Sequence, residues 1–174
     1  LYIPLTSPHS PVVPNKPFQG KTNIGSYGDF VVETDWVVGQ VMKAVDDAKI
    51  KDNTLFIFTT DNGTAQFSRK TKGGKTHLSS GPYRGRKRDN WEGGHRVPFI
   101  ARWPGVVEPC TVSSNILCLT DLTRTLVAVA GGEITRQDVA EDSFSVRHAL
   151  MEDWRVCAVA GNMLRREATV HHGS

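Results

Sequence analysis

Seven consecutive residues without a charge, a glycine or a proline, Thr54-Leu55-Phe56-Ile57-Phe58-Thr59-Thr60, narrow the choice of folds more than anything else in this chain. They are β-branched, aromatic or leucine and do not alternate polar with apolar. A strand exposed on one face would alternate, so the run predicts a central parallel strand covered on both faces. It ends in Asp61-Asn62-Gly63. Upstream, Tyr27, Phe30, Val31, Val37, Val38, Val41, Val45 and Ala48 recur at helical spacing, with Glu33, Asp35, Lys43 and Asp46 largely off that stripe. This predicts an amphipathic helix over residues 27–49, despite Gly39, and Lys51-Asp52-Asn53 supplies the turn into the strand. Helix, turn and buried strand make the unit that stacks into a three-layer α/β/α sandwich with a mostly parallel sheet. Ligands of such sheets bind beyond the carboxyl ends of the strands, which places Asp61 and Asn62 at the expected site edge.

The rest of the chain is read around that unit. Residues 1–5 predict a short buried strand opening into Ser7-Pro8-His9-Ser10-Pro11, where two prolines hold a histidine on a stiff, extended loop. Residues 64–90 are polar, basic and glycine-bearing without a sustained period, and read as one long loop. A strand follows over residues 97–103, closed by Pro104-Gly105. A second helix covers about residues 120–130, capped by Thr120 or Asp121, with Leu122, Leu126 and Val129 as its apolar face and Gly131-Gly132 as its stop. The tail from Arg136 is mixed, with a strand or helix start over residues 156–159.

Composition limits the partners. With 39% apolar residues the chain can bury a core, and its net charge of +3, from 21 basic and 18 acidic residues, gives the whole chain no strong pull toward nucleic acid or anionic lipid. No apolar run approaches the roughly 20 residues that cross a bilayer, and the first residues do not resemble a targeting segment. No membrane and no nucleic-acid partner is expected. The chain opens without Met inside an apolar run, from which we expect truncation there. Cys110, Cys118 and Cys157 form no C-x-x-C pair and read as small buried hydrophobes.

Several side chains could carry chemistry. Asp61 and Asn62 offer two hard oxygen ligands side by side, suited to calcium or magnesium, although Asp-Asn-Gly is equally an ordinary turn. His9 could act as acid, base or oxyanion contact, or be a surface histidine in a turn. Lys87, in Arg84-Gly85-Arg86-Lys87-Arg88, could grip an anion or belong to a solvated loop. In Trp91-Glu92-Gly93-Gly94-His95-Arg96-Val97-Pro98 the paired glycines permit close backbone approach, and Glu92 and Arg96 are assigned structural, cross-bracing roles.

In order, Ser-Pro-His-Ser-Pro (7–11), Gly-Asp-Phe-Val-Val-Glu-Thr-Asp (28–35), the strand with its Asp-Asn-Gly (53–63), Tyr-Arg-Gly-Arg-Lys (83–87) and Trp-Glu-Gly-Gly-His-Arg-Val-Pro (91–98) resemble the arylsulfatase branch of the sulfatase family. The resemblance continues through Arg-Trp-Pro-Gly (102–105), Leu-Thr-Asp-Leu (119–122), Glu-Asp-Ser-Phe-Ser (141–145) and Val-His-His (170–172). It implies an alkaline-phosphatase-like α/β/α fold, incomplete here. Residues 1–174 would be the central to C-terminal part of one catalytic domain, with the nucleophile-bearing N-terminal part and a C-terminal subdomain outside. It further implies hydrolysis of sulfate esters by a formylglycine made in a C/S-x-P-S/A-R motif, which this sequence lacks, so that the isolated chain is expected to be inactive. By the same resemblance Asp61 and Asn62 match calcium ligands, Lys87 a sulfate-contacting lysine, His9 a sulfate-binding histidine and candidate proton donor, and His77 a histidine lining the substrate pocket. The implied substrate is a sulfated small molecule or a sulfated glycan, and the implied location is secreted, periplasmic or lysosomal. Two other readings stand beside it: a phosphatase or phosphodiesterase of the same superfold, and a non-catalytic metal- or glycan-binding remnant.

Overall fold

A computed structural model describes residues 1–66, 68–136 and 138–151, together with a two-residue strand at 155–156. The chain divides into two compact units, Leu1–Ile100 and Ala101–Ser174.

In the first unit the predicted helix is α1 (Ser26–Asp47), entered from Gly25 at φ 84. Its fully buried residues are not the valine stripe, which is half-buried, but Gly28, Asp29, Glu33 and Thr34. These polar side chains tie down the segment that precedes the helix. Asp29, 5% exposed, accepts from Gly20 N and Thr22 N, each at 2.8 Å, and from the Thr22 hydroxyl at 3.0 Å. Glu33 accepts from Asn15 N at 2.9 Å and from the Asn15 side-chain amide, and the Thr34 hydroxyl lies 2.9 Å from Ser7 Oγ. Glu33 was expected off the packed face. It is buried because its carboxylate has backbone and amide donors to satisfy it there.

Downstream, a 3-10 turn at Lys51–Asn53 leads into β1 (Phe56–Thr59), which pairs with a later strand, β4 (Phe99–Arg102). Among the described residues the expected cover on both faces is incomplete: all four β1 residues are half-buried, and each sheet has two strands. Residues 1–5 are also not a strand but exposed coil, with Leu1, Tyr2, Ile3 and Leu5 all open to solvent. They have no hydrogen-bonded neighbour among the described residues, and a lone strand leaves its backbone groups unsatisfied. The proline loop is a turn rather than extended chain, closed by His9 N to Thr6 O at 3.0 Å, with cis bonds before Pro8 and Pro11.

The stretch expected to be one long loop contains an antiparallel hairpin, β2 (Ser68–Lys70) and β3 (Thr76–Leu78), paired Ser68 with Leu78, Arg69 with His77 and Lys70 with Thr76. Its alternation, exposed, half-buried, exposed on both strands, places Arg69 and His77 at the half-buried positions and Leu78 at an exposed one, which is why hydropathy did not reveal it. Thr71 N to Lys75 O at 2.8 Å closes the turn, with Gly74 at φ 76. A short helix, α2 (Glu92–His95), follows before β4.

The second unit holds β5 (Thr111–Val112), α3 (Leu122–Val129), α4 (Arg147–Met151) and β6 (Arg155–Val156), the last antiparallel to β5. Of the tail expected to form a strand or helix start, Val156 is in β6, while residues 157–159 and the Val-His-His segment lie outside the described residues. Helix α3 ends at Gly131 as expected, at φ 78. Neither expected residue caps it with a side chain: the Asp121 carboxylate instead accepts from Cys118 N and Phe144 N, both at 2.9 Å. Leu126, expected on the apolar face, is 45% exposed, and the fully buried residue is Thr125, its hydroxyl bonded to Asp121 O and Val146 N. Val107, Val146, Ala149 and Leu150 are the buried apolar residues among the described residues. Cys110 and Cys118 are free and exposed rather than buried, because the loops that carry them lie on the surface; Cys157 is outside the described residues.

Candidate functional site

The strand-end residues sit in a corner built from backbone. Gly63 N donates to Gly94 O at 2.9 Å, and one residue further on Lys87 N donates to Thr64 O at 2.8 Å. The segment 84–94 is thereby laid along the loop that leaves β1. The approach is so close that a Cβ on Gly63 would overlap the Gly93 carbonyl, one on Gly93 the Gly85 carbonyl, and one on Gly94 the Asp89 carbonyl. Four glycines are needed at this corner because only backbone without side chains allows that contact. Gly85 additionally requires φ 87, with the Trp91 Cβ 2.8 Å from where its own Cβ would stand.

Around the corner, cations are held by aromatic rings. Arg84 lies 3.8 Å from the centroid of Trp91 and Arg96 4.8 Å from that of Tyr83. Arg96 also donates to Glu92 at 2.9 Å, the cross-brace expected of this pair; that bond, opposed by partial burial, raises the guanidinium above its ordinary range. Arg88 adopts φ 81, rare for a residue with a side chain, and turns the chain so that Asp89 N reaches Arg86 O at 2.9 Å. This reversal directly after Lys87 was not legible in the sequence, where Arg86-Lys87-Arg88 reads as an undifferentiated basic run.

Among the described residues, neither the Asp61 carboxylate nor the half-buried Lys87 ammonium has a hydrogen-bond or ion-pair partner. Asn62 donates its amide to Gly63 O at 3.0 Å, which leaves its side-chain oxygen available. Two hard oxygens side by side, one anionic and uncommitted, fit part of a calcium shell of six to eight oxygens. They are not a whole one: among the described residues no group of three His, Cys, Asp or Glu side chains is gathered for a metal.

The two histidines stand apart from this corner in their bonding. His9 is exposed, its ring nitrogen Nδ1 2.9 Å from Ser10 O, on a loop moored to α1 through Ser7 and Thr34. His77 is half-buried on β3 opposite Arg69, whose guanidinium rests 4.2 Å from the Tyr27 ring centroid. No hydrogen bond among the described residues joins either histidine to Asp61, Asn62 or Lys87. The structure thus brings Asp61, Asn62 and Lys87 together through adjoining backbone, and places His9 and His77 on separate elements.

A family model described as Sulfatase matches residues 1–132, a span that contains every one of these residues. The chain belongs to the sulfatase family. It is 40% identical over 131 residues to the N-acetylgalactosamine-6-sulfatase of Homo sapiens, covering 75% of this chain and 24% of the relative. It is 35% identical over 150 residues to the N-acetylgalactosamine-6-O-sulfatase of Bacteroides thetaiotaomicron, covering 82% of this chain and 28% of that one. A solved structure from work on the metabolism of multiple glycosaminoglycans by Bacteroides thetaiotaomicron superposes with a TM-score of 0.74 at 33% identity, over 84% of this chain and 31% of that one. This sulfatase-family chain therefore shares the alkaline-phosphatase-like α/β fold of those enzymes, and spans about a quarter of the length of the curated relatives it matches.

Proposed function

We propose that this chain is part of a sulfuric ester hydrolase, and that its corner of Asp61, Asn62 and Lys87 forms the wall that holds the metal and the sulfate. The observation that supports the reading is the bond from Lys87 N to Thr64 O, which joins the backbone of the two segments that carry Lys87 and Asp61, two charged side chains without a partner among the described residues. Opposite charges left uncommitted on two segments joined through their backbone suit a site that an anion and a cation complete together. Asp61 and Asn62 would hold calcium; when bound, the ion supplies positive charge to polarise the nucleophile and the sulfate oxygens. Lys87 would donate to the sulfate and stabilise charge as the ester bond breaks. His9, on its moored loop, would pass a proton to the departing alkoxide, and His77 would face the substrate. No C/S-x-P-S/A-R motif stands in the sequence, so this reading takes the formylglycine nucleophile from residues outside it. A sulfate ester on a sugar is the favoured substrate, since two relatives are named as N-acetylgalactosamine 6-sulfatases. A secreted, periplasmic or lysosomal location belongs to the same proposal.

The test uses the full-length protein that contains this chain, assayed on a sulfate ester and on the matching phosphate ester. Lys87→Ala and His9→Ala are each expected to lower sulfate turnover by about 10²–10³, the usual loss for one charge-stabilising donor, with the melting temperature nearly unchanged. Asp61→Ala is expected to abolish the rise in melting temperature that calcium gives wild type. Preference for the phosphate ester, or unchanged turnover in Lys87→Ala, would remove the reading.

A further inference from the structure

Charge is segregated along this chain in a way the site corner does not use up. Between Asp61 and Asp89 there is no Asp or Glu at all, while eight Lys or Arg occur there; the rest of the chain carries more acidic residues than basic ones. The β2–β3 hairpin sits in the middle of this acid-free stretch. Its inward face carries Arg69, fixed on the Tyr27 ring, and its turn is anchored by Lys72 N to Asn23 O at 2.8 Å. Its outward positions and turn carry Lys70, Lys72 and Lys75, all exposed, with Lys70 Nζ 3.1 Å from the Thr76 hydroxyl. Nothing lies within 4 Å of where a Cβ would stand on Gly73 or Gly74, so the turn between these lysines is open surface. Lys70 and Lys75 are thus presented on a braced element, which limits the conformational entropy lost when a ligand orders them, while the charge of Lys72 also acts on the Asp29 carboxylate and is shared with it.

We propose that the outer side of the β2–β3 hairpin is a docking surface for a sulfated glycan chain, binding anionic groups beyond the single ester brought to Lys87. The inference rests on the sulfatase reading for its choice of glycan and on the charge pattern for its location. A nucleic acid is the competing polyanion, and the aromatic rings argue against it. Tyr27, Tyr83 and Trp91 each already have a guanidinium over the ring, from Arg69, Arg96 and Arg84. Single-stranded nucleic acid gains much of its affinity by stacking bases on free aromatic faces, whereas sulfate groups need only the cations.

The experiment measures binding by calorimetry to the full chain, at low and high salt, of a chondroitin sulfate hexasaccharide, its desulfated form and a single-stranded DNA of matched charge. The sulfated form is expected to bind best, and more weakly as salt rises. The triple variant Lys70→Gln, Lys72→Gln, Lys75→Gln should weaken it roughly 10-fold, the sum of several exposed ion pairs. A charge-matched control, Lys16→Gln, Lys49→Gln, Lys51→Gln, should stay within about twofold, because those residues lie outside the acid-free stretch. Circular dichroism checks that both variants keep the fold. Equal weakening in the two triple variants, or DNA binding as tight as the sulfated hexasaccharide, overturns the proposal. Because binding is read without turnover, the two readings fail separately. Sulfate ester hydrolysis by a full-length protein whose glycan binding ignores the hairpin lysines removes this surface alone, and hairpin-dependent binding without hydrolysis removes the enzyme reading alone.

Discussion

Two carboxylates in the first unit, Asp29 and Asp61, have opposite fates. Asp29 is buried and takes three hydrogen bonds from Gly20 and Thr22, so its charge is spent on holding the chain ahead of α1. Asp61 is exposed and has no partner among the described residues. The corner around Asp61 is instead held by backbone, through Gly63 to Gly94 and Lys87 to Thr64. Where a carboxylate braces the chain its charge is used, whereas at the corner glycine-on-carbonyl contact, with Arg96 on Glu92 beside it, does the bracing and leaves Asp61 uncommitted.

The strongest way to break that contrast is at the glycines. Gly94→Ala places a methyl group on the Asp89 carbonyl, with Arg86 O also near, where backbone rather than a flexible side chain must move. A loss of about 3 kcal/mol is expected, at the upper end of ordinary overpacking, and chemical denaturation measures it. A cost near zero would show that the corner is loose and that its backbone does not hold the site.

The next effect is electrostatic and depends on pH. The backbone N–H of Gly20, with further bonds from Thr22 and the charge of Lys72, holds the Asp29 carboxyl below its ordinary value, against the opposing effect of burial. A lowered folded value means that the stability from Asp29 is fully present above the unfolded value, about 3.9, and is lost as pH falls through the folded one. Asp29→Asn should therefore be less stable than wild type at neutral pH, with the gap closing in acid. Melting curves at neutral pH and below about pH 3.9 test this; a gap that does not narrow would mean that the carboxylate's charge is not what holds the chain ahead of α1.

Asp61→Ala, without calcium, should change stability by no more than about 0.5 kcal/mol, as for an exposed residue with nothing bonded to it. Thermal melting in chelator reads it, and a large loss would place Asp61 with Asp29 among the structural acids. The smallest effect belongs to Lys43→Ala. Its pair with Asp47 at 2.6 Å joins side chains that are 64% and 65% exposed, and the acid lies at the C-terminal end of α1, where the helix dipole disfavours it. A change within about 0.3 kcal/mol is expected by the same denaturation measurement. A larger one would mean that surface ion pairs brace α1 as the buried carboxylates do.

Parts of this arrangement were legible because they rest on local rules. Helix α1, the stop at Gly131 and the turn at Pro104-Gly105 follow from spacing and backbone freedom, and β1 from its run of β-branched and aromatic residues. The hairpin was missed because Arg69, Lys70, Thr76 and His77 alternate in exposure without alternating in hydropathy. Cys118 was misjudged for a related reason: apolar sequence neighbours do not ensure burial when the loop runs over the surface.

The sequence by itself determined the family, through motifs recurring in one order, and the side-chain types from which a site could be built, because ligand chemistry belongs to side-chain type. Only the tertiary structure decided which of them remain available. Asp29 and Asp61 are the same residue type, and what separates them is whether backbone donors from the loop ahead of α1 fold back onto the carboxylate. Likewise Lys87 differs from Arg84 because its ammonium has no partner among the described residues while the Arg84 guanidinium is laid on Trp91. At the corner that availability also depends on contacts between segments far apart in the chain, Gly63 with Gly94 and Thr64 with Lys87, and a one-dimensional pattern does not carry those distances.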